Sequence, residues 1–173
     1  MKSTFTLEIG AGEHPHPDYR VHVDVLSLPG IDVVCRMDCL PFTDQSISSL
    51  RANDVLEHQS WELVPDTLRE WARVLLPNAE VYVQVHDSLL LARRWVGGQL
   101  STSDANFWIL GGHSQRPAHR GVNQKGVPLW IYNAHHTLFD PDSLTRELTD
   151  AGFGDVSITS DGGSNIMCTC RRQ

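Results

Sequence analysis

Histidine is the side chain whose charge changes near neutral pH, so it serves as proton acceptor or metal ligand. This 173-residue chain carries nine, and they are not scattered. His14 and His16 follow a β-rich segment ending at Ile9, His58 follows one ending at Asn53, and His86 follows one ending at Val85. His113, His119, His135 and His136 fall in one long connection, and only His22 lies inside a strand-like run. Residues at the ends of successive parallel strands gather along one edge of a sheet. Loops tolerate histidine for its polarity alone, so each one singly has a structural reading. Their clustering is what points to chemistry.

A second signal is Gly10-Ala11-Gly12, directly after the first β-rich segment. Two ligands compete for such a turn. A dinucleotide needs a third glycine, a helix N-terminus beneath its pyrophosphate and an acid about 20 residues on. Here the third glycine is missing, and Pro15 and Pro17 forbid a regular helix after the turn. A nucleoside without phosphate does not miss that anion site. Asp24 ends the second strand-like run, twelve residues past Gly12, where a carboxylate can take both ribose hydroxyls.

The elements that must position these residues follow from patterning. Residues 4–9, 21–25, 31–35, 47–53 and 80–85 read as strands. Pro65 opens a helix in which Leu68, Trp71, Ala72, Leu75 and Leu76 recur at helical spacing, stopped by Pro77-Asn78. Asp140-Pro141 caps a second, with Leu144, Leu148 and Ala151 on one face and Gly152 as terminator. Residues 155–159 and 166–170 form a closing hairpin around Asp161-Gly162-Gly163. Residues 88–137 show no period beyond a short helix near 89–95. Their tryptophans at 95, 108 and 130 read as pocket cover and packing. Strands alternating with helices mean an α/β fold with a mostly parallel sheet, whose ligands bind beyond the carboxyl ends of the strands.

Composition narrows the class. Fourteen Lys and Arg against 21 Asp and Glu give a formal charge of −7, which argues against a nucleic-acid partner. An apolar content of 40% supports a full core, in one domain over residues 1–173. No apolar run approaches the ~20 residues of a membrane span. The N-terminus shows no signal-peptide pattern, so the expected location is cytoplasmic. Cys35, Cys39, Cys168 and Cys170 lack zinc-ribbon spacing and read as reduced thiols.

Six motifs in order carry a resemblance: L-E-I-G-A-G (7–12), V-D-V around Asp24, M-D-C-L-P-F (37–42), D-V-L-E-H (54–58), L-R-E-W-A-R-V-L-L-P (68–77) and L-T-R-E-L-T-D-A-G-F (144–153). Together they resemble a small class I S-adenosylmethionine-dependent methyltransferase of the type 11 kind, in a short form similar to those found with surface-sugar biosynthesis. The resemblance implies a Rossmann-like, seven-stranded, mostly parallel sheet with a C-terminal antiparallel hairpin and a shortened first helix. It implies S-adenosylmethionine as cofactor. Gly10 and Gly12 would admit the methionine part, Glu8 would help place its amino group, and the main chain near Asn53 would reach its ammonium. Asp24 would hold the ribose with Val25 beside the adenine, while Asp38 and the backbone of Cys39 would meet the adenine ring. Pro77-Asn78-Ala79 and His86-Asp87 depart from the usual Pro-Gly-Gly and Pro of the family, the latter on the substrate wall.

Methyl transfer to a hydroxyl needs a base or a metal to assist the weak nucleophile. The histidine-rich edge therefore favours oxygen as acceptor atom, with His58 and His136 as first candidates for base and His86 and His113 behind them. Metal-dependent relatives carry E-x-x-E-H with a later histidine. By that likeness Asp54, Glu57, His58 and His135 or His136 are the candidate ligands, although many relatives with L-E-H hold no metal and none is assigned here. Arg93-Arg94 and the arginines at 116–120 could meet an anionic substrate group. The expected function is O-methylation of a small molecule or glycan, with residues 88–137 covering the substrate. The rival is a non-catalytic subunit that binds the cofactor and scaffolds a partner.

Overall fold

The computed structural model describes residues 5–111 and 129–173, the second stretch with side chains from Ile131 onward. The expectations at His113, His119, the 116–120 arginines and the Trp130 side chain lie outside the described residues. Seven strands form one sheet: β1 (Phe5–Ile9), β2 (Val21–Asp24), β3 (Val33–Val34), β4 (Ile47–Asn53), β5 (Leu75–His86), β6 (Phe153–Ser160) and β7 (Asn165–Arg172). Their order is β3-β2-β1-β4-β5-β7-β6. The first five run parallel, while β7 is antiparallel to both β5 and β6. This is the expected sheet with its closing hairpin.

Period-2 burial makes the core. Leu7, Ile9, Leu50, Ala52, Val81, Val83, Val85, Ile166 and Cys168 are buried at alternating positions. They form one apolar cluster with Leu68 and Trp71 of α1 (Val64–Val74) and Leu144 and Leu148 of α4 (Pro141–Asp150). Asp140 caps α4 by accepting from the Ser143 amide at 2.7 Å, and Gly152 ends it at φ +92°. The intervening residues of β1, β2, β4 and β5 are polar and meet as cross-strand neighbours: Glu8 opposite His22 and Arg51, and Arg51 opposite Tyr82. Glu8 reaches both His22 at 3.0 Å and Arg51 at 3.4 Å, and Arg51 lies 4.7 Å from the Tyr82 ring centre. No helix joins β1 to β2. Residues 10–20, with their two prolines, run as turns instead, tied to β2 by the Gly10 and Ala11 amides donating to the Val23 carbonyl.

Three elements differ from the sequence reading. Leu75 and Leu76 continue the helical spacing of α1 yet start β5, because Leu75 pairs with Ile47 and sheet pairing overrides periodicity. The strand at 31–35 shrinks to Val33–Val34 at the sheet edge. Beyond the expected helix near 89–95, which is α2 (Ser88–Val96), a further helix α3 (Thr102–Leu110) follows, capped by the Ser101 side chain accepting from the Asp104 amide at 3.1 Å. All four cysteines are free. Five strand spacings of ~4.8 Å separate β3 from β7, so Cys35 lies far from Cys168 and Cys170. Among the described residues no helix is long and apolar enough to cross a membrane.

Candidate functional site

Strand order reverses between β1 and β4, and the crevice at such a switch point is where open α/β sheets bind ligands. A cavity of about 320 Å³ lies there, within the range of small-molecule sites. One half is built by the turns after β1 and β2. Gly10 sits at φ +68°, and a Cβ there would lie 2.3 Å from Val55 Cγ2, so only glycine lets the turns after β1 and β4 meet. Gly12, at φ +61°, donates its amide to Asp24 Oδ2 at 3.0 Å, and Leu26 donates to Oδ1 at 2.8 Å. Both Asp24 oxygens are thereby aimed, with lone pairs left to accept from a ligand. Val23, Val25, Leu26, Leu28 and Met37 give the cavity an apolar wall. Asp38 also lines it, with Arg36 beside it at 2.5 Å. Hydrogen bonding to that guanidinium holds the Asp38 carboxyl below the usual carboxylate range.

Not every expected contact lines the cavity. Glu8 is buried beneath the turn, accepting from the His16 amide at 2.7 Å, so its carboxylate braces the glycine turn. Asn53 accepts from Arg51 and donates to Asp54 Oδ2, and Cys39 is an exposed residue outside the lining, whereas Cys35 is on it. Burial pushes the Cys35 thiol up to about 11. The L-R-E-W-A-R motif has a local reason too. Trp71 Nε1 donates to the Met37 carbonyl at 2.9 Å, Glu70 accepts from the Leu40 amide at 2.8 Å, and Arg73 donates to the Leu40 and Phe42 carbonyls. Helix α1 thus clamps the loop that carries Asp38.

The other half follows β4. Asp54 lines the cavity at φ +51°, a conformation non-glycine residues rarely adopt. Its carboxylate accepts from Asn53 Nδ2 at 2.9 Å and Gln84 Nε2 at 3.0 Å. Then comes one 3-10 turn, Leu56–His58. The amides of His136 and Thr137 both donate to the Glu57 carbonyl, clamping residues 134–137 onto this turn. Both His58 and His136 line the cavity, with Ile131, Tyr132 and Asn133 beside them. His58 Nδ1 lies 3.0 Å from the Ala134 carbonyl. A carbonyl only accepts, so Nδ1 carries the proton and Nε2 holds the lone pair of the neutral ring.

His135, on the other side of its chain from His136, faces away into a cluster with Glu57 and His86. Their ligand atoms all lie within 4.8 Å of one another. Of the expected metal candidates, Glu57 and His135 belong to this group. Asp54 is held by amides, and His58 and His136 face the cavity. Glu57 is 2% exposed, and neither carboxylate oxygen has a hydrogen-bond partner among the described residues. Burial pushes its pKa up to about 8, with the Asp54 charge adding, while the Glu57 and His86 amides oppose without completing a hydrogen bond. Burial likewise depresses His135 to about 3, helped by His58 and His86, so its ring is neutral. Sequence reasoning placed His86 behind other histidines and had no signal for its convergence with Glu57, since the two stand on separate elements. Val55, Met37 and Tyr132 were also missed as lining, although Val55 and Met37 lie within quoted motifs.

No family profile matches the sequence, and neither does any curated protein. Solved structures do match. An S-adenosylmethionine-dependent methyltransferase from Thermotoga maritima aligns at TM-score 0.64 and 12% identity over 100% of this chain and 84% of its own. One from Archaeoglobus fulgidus aligns at 0.62 and 12%, over 98% and 86%. The Burkholderia thailandensis 1,6-didemethyltoxoflavin-N1-methyltransferase, with S-adenosylhomocysteine bound, aligns at 0.60 and 16%, over 99% and 72%. At these identities the likeness is one of fold.

Proposed function

We propose that this chain is an S-adenosylmethionine-dependent methyltransferase acting on a hydroxyl of a small molecule or sugar. The observation that carries the reading is Asp24, fixed by the Gly12 and Leu26 amides at the lip of a cavity with a glycine cradle and apolar walls. That is an acceptor and an apolar wall suited to a nucleoside's ribose and base. Arg36 is the one Lys or Arg among the described lining residues, and it is engaged by Asp38, which favours a nucleoside over a pyrophosphate-bearing ligand. The fold of the methyltransferase neighbours supports a methyltransferase reading, and the six sequence motifs are what point to the short type 11 form.

The cofactor supplies an electrophilic methyl on sulfur, and the protein aligns an acceptor in line with it. Gly10 and Gly12 leave room for the methionine part, Asp24 accepts from the ribose hydroxyls, and Val25 and Asp38 border the adenine. His58, whose Nδ1–H is held by Ala134, takes the hydroxyl proton on Nε2, with His136 as second candidate. Such a base is worth about 10²–10⁴ in rate. Ile131, Tyr132, Asn133 and His136, on the cavity wall, cover the acceptor.

The test is methyl-labelled cofactor offered with a panel of sugars, nucleotide sugars and phenols. The expected product is a methyl ether, lost in His58→Ala while S-adenosylhomocysteine still binds. Transfer only to amines or thiols, or unchanged rates in both His58→Ala and His136→Ala, overturns the oxygen-and-base assignment.

A further inference from the structure

We propose that Glu57, His86 and His135 bind one divalent cation of the zinc class, in a site behind the cavity wall. Three observations converge on it. First, Glu57 is buried with both oxygens lacking any hydrogen-bond partner among the described residues. A buried carboxylate is normally paired, hydrogen-bonded or bound to a metal. Second, the His86 tautomer is set from behind. Its Nδ1 lies 2.8 Å from Asn165 Oδ1, an acceptor, so Nδ1 carries the hydrogen and the Nε2 lone pair faces Glu57 Oε1 at 3.9 Å. Two acceptors thus face each other, too far apart for a shared proton to make a good hydrogen bond. A carbonyl oxygen orienting the rear nitrogen is how metal-binding histidines are held. Third, His135 brings a second imidazole to the same point, its ring centre 5.0 Å from that of His86.

The dimensions suit one ion. Bonds of about 2.0–2.2 Å to imidazole nitrogen and carboxylate oxygen at tetrahedral angles set ligand atoms about 3.4 Å apart. The Glu57–His86 pair at 3.9 Å needs a closing of about 0.5 Å, and the widest spacing in the cluster no more than about 1.4 Å, within reach of side-chain rotation. Two imidazoles and one carboxylate suit zinc, iron, cobalt or manganese rather than magnesium or calcium, which prefer all-oxygen shells. Trp108 packs edge-on against His86 at 5.5 Å and closes part of the surround. His58, 5.0 Å from His135 by ring centres, stands between the cluster and the cavity. Three protein ligands leave an open coordination position, as in reactive rather than purely structural zinc sites. Zinc binding here is independent of whether the cavity takes S-adenosylmethionine.

The experiment is titration of chelator-stripped full-length protein with Zn²⁺, followed by calorimetry and by metal analysis after dialysis. Co²⁺ serves as a spectroscopic probe, and circular dichroism monitors the fold. The expected result is one zinc per chain and a visible cobalt band of low coordination number. Glu57→Gln, which keeps the side chain's shape, weakens zinc by about 100-fold or more, beyond the 10–100-fold typical of a supporting partner such as Asn165 in Asn165→Ala. His14→Ala, at an exposed position, changes nothing. Absence of saturable zinc binding by the wild type overturns the proposal. So does zinc binding that survives both Glu57→Gln and the double variant His86→Ala/His135→Ala.

Discussion

Around Asp24 every named polar group has its partner. The carboxylate is held by two amides, Asp38 by Arg36, and Glu8 by His16, His22 and Arg51. Around Glu57 the opposite holds: a buried carboxylate makes no hydrogen bond among the described residues, and three imidazoles stand in a row behind it. One half of the cavity is complete and waits only for a ligand's hydroxyls. The other keeps a buried carboxyl without a hydrogen-bond partner among the described residues, beside the histidines of the cavity wall. The contrast teaches a division of labour: the first half binds by rigid, pre-oriented geometry, and the second holds reactive groups whose environment shifts their protonation.

That contrast can be attacked from either side. The largest effect is expected for Trp71→Ala, which empties the centre of the core and drops the bond to the Met37 carbonyl. It should cost about 3–5 kcal/mol in urea unfolding. Gly10→Ala is next, at about 2–4 kcal/mol, because its Cβ would strike Val55 at a positive φ. It should also abolish nucleoside binding, and normal binding would show that the cradle is not where the ligand sits.

Glu70→Gln should cost about 1–2 kcal/mol near neutral pH, the scale of a charge-assisted hydrogen bond. Hydrogen bonding to Arg73 holds the Glu70 carboxyl below the usual carboxylate range. Its stabilisation is therefore present above that range and lost as pH falls through the lowered value. Urea midpoints of wild type and variant should converge in acid, and parallel curves would contradict the assignment. Smallest is Glu57→Gln. In a chelator it should leave stability unchanged or raise it by no more than about 1 kcal/mol, since no hydrogen bond is removed. S-adenosylhomocysteine affinity should stay as in wild type. A large loss of stability would mean that Glu57 has a partner of its own and that the two halves are not so different.

The completed half is also the half that the sequence makes legible. Gly10, Gly12 and Asp24 belong to short motifs whose turn chemistry and spacing are local, and α4 begins at Asp140 and ends before Gly152 as its residues dictate. The reading went astray where distant parts decide. Leu75 and Leu76 follow helical spacing but are taken by the sheet. Glu57, His86 and His135 lie on separate elements. Pairing of β4 with β5 sets Glu57 near His86, and the clamp of residues 134–137 onto the 3-10 turn adds His135. Alternation of His135 and His136 along an extended segment then sends one ring to the cluster and the other to the cavity.

The central claim rests on Asp24 as the ribose anchor of a nucleoside site. Calorimetric titration of S-adenosylmethionine and S-adenosylhomocysteine into wild type and Asp24→Ala tests it most directly. Micromolar binding by the wild type, weakened about 100-fold or more in the variant as two charge-assisted hydrogen bonds are lost, is the expected result. Folded wild-type protein that binds neither ligand, or a variant that binds both as tightly as wild type, would contradict it.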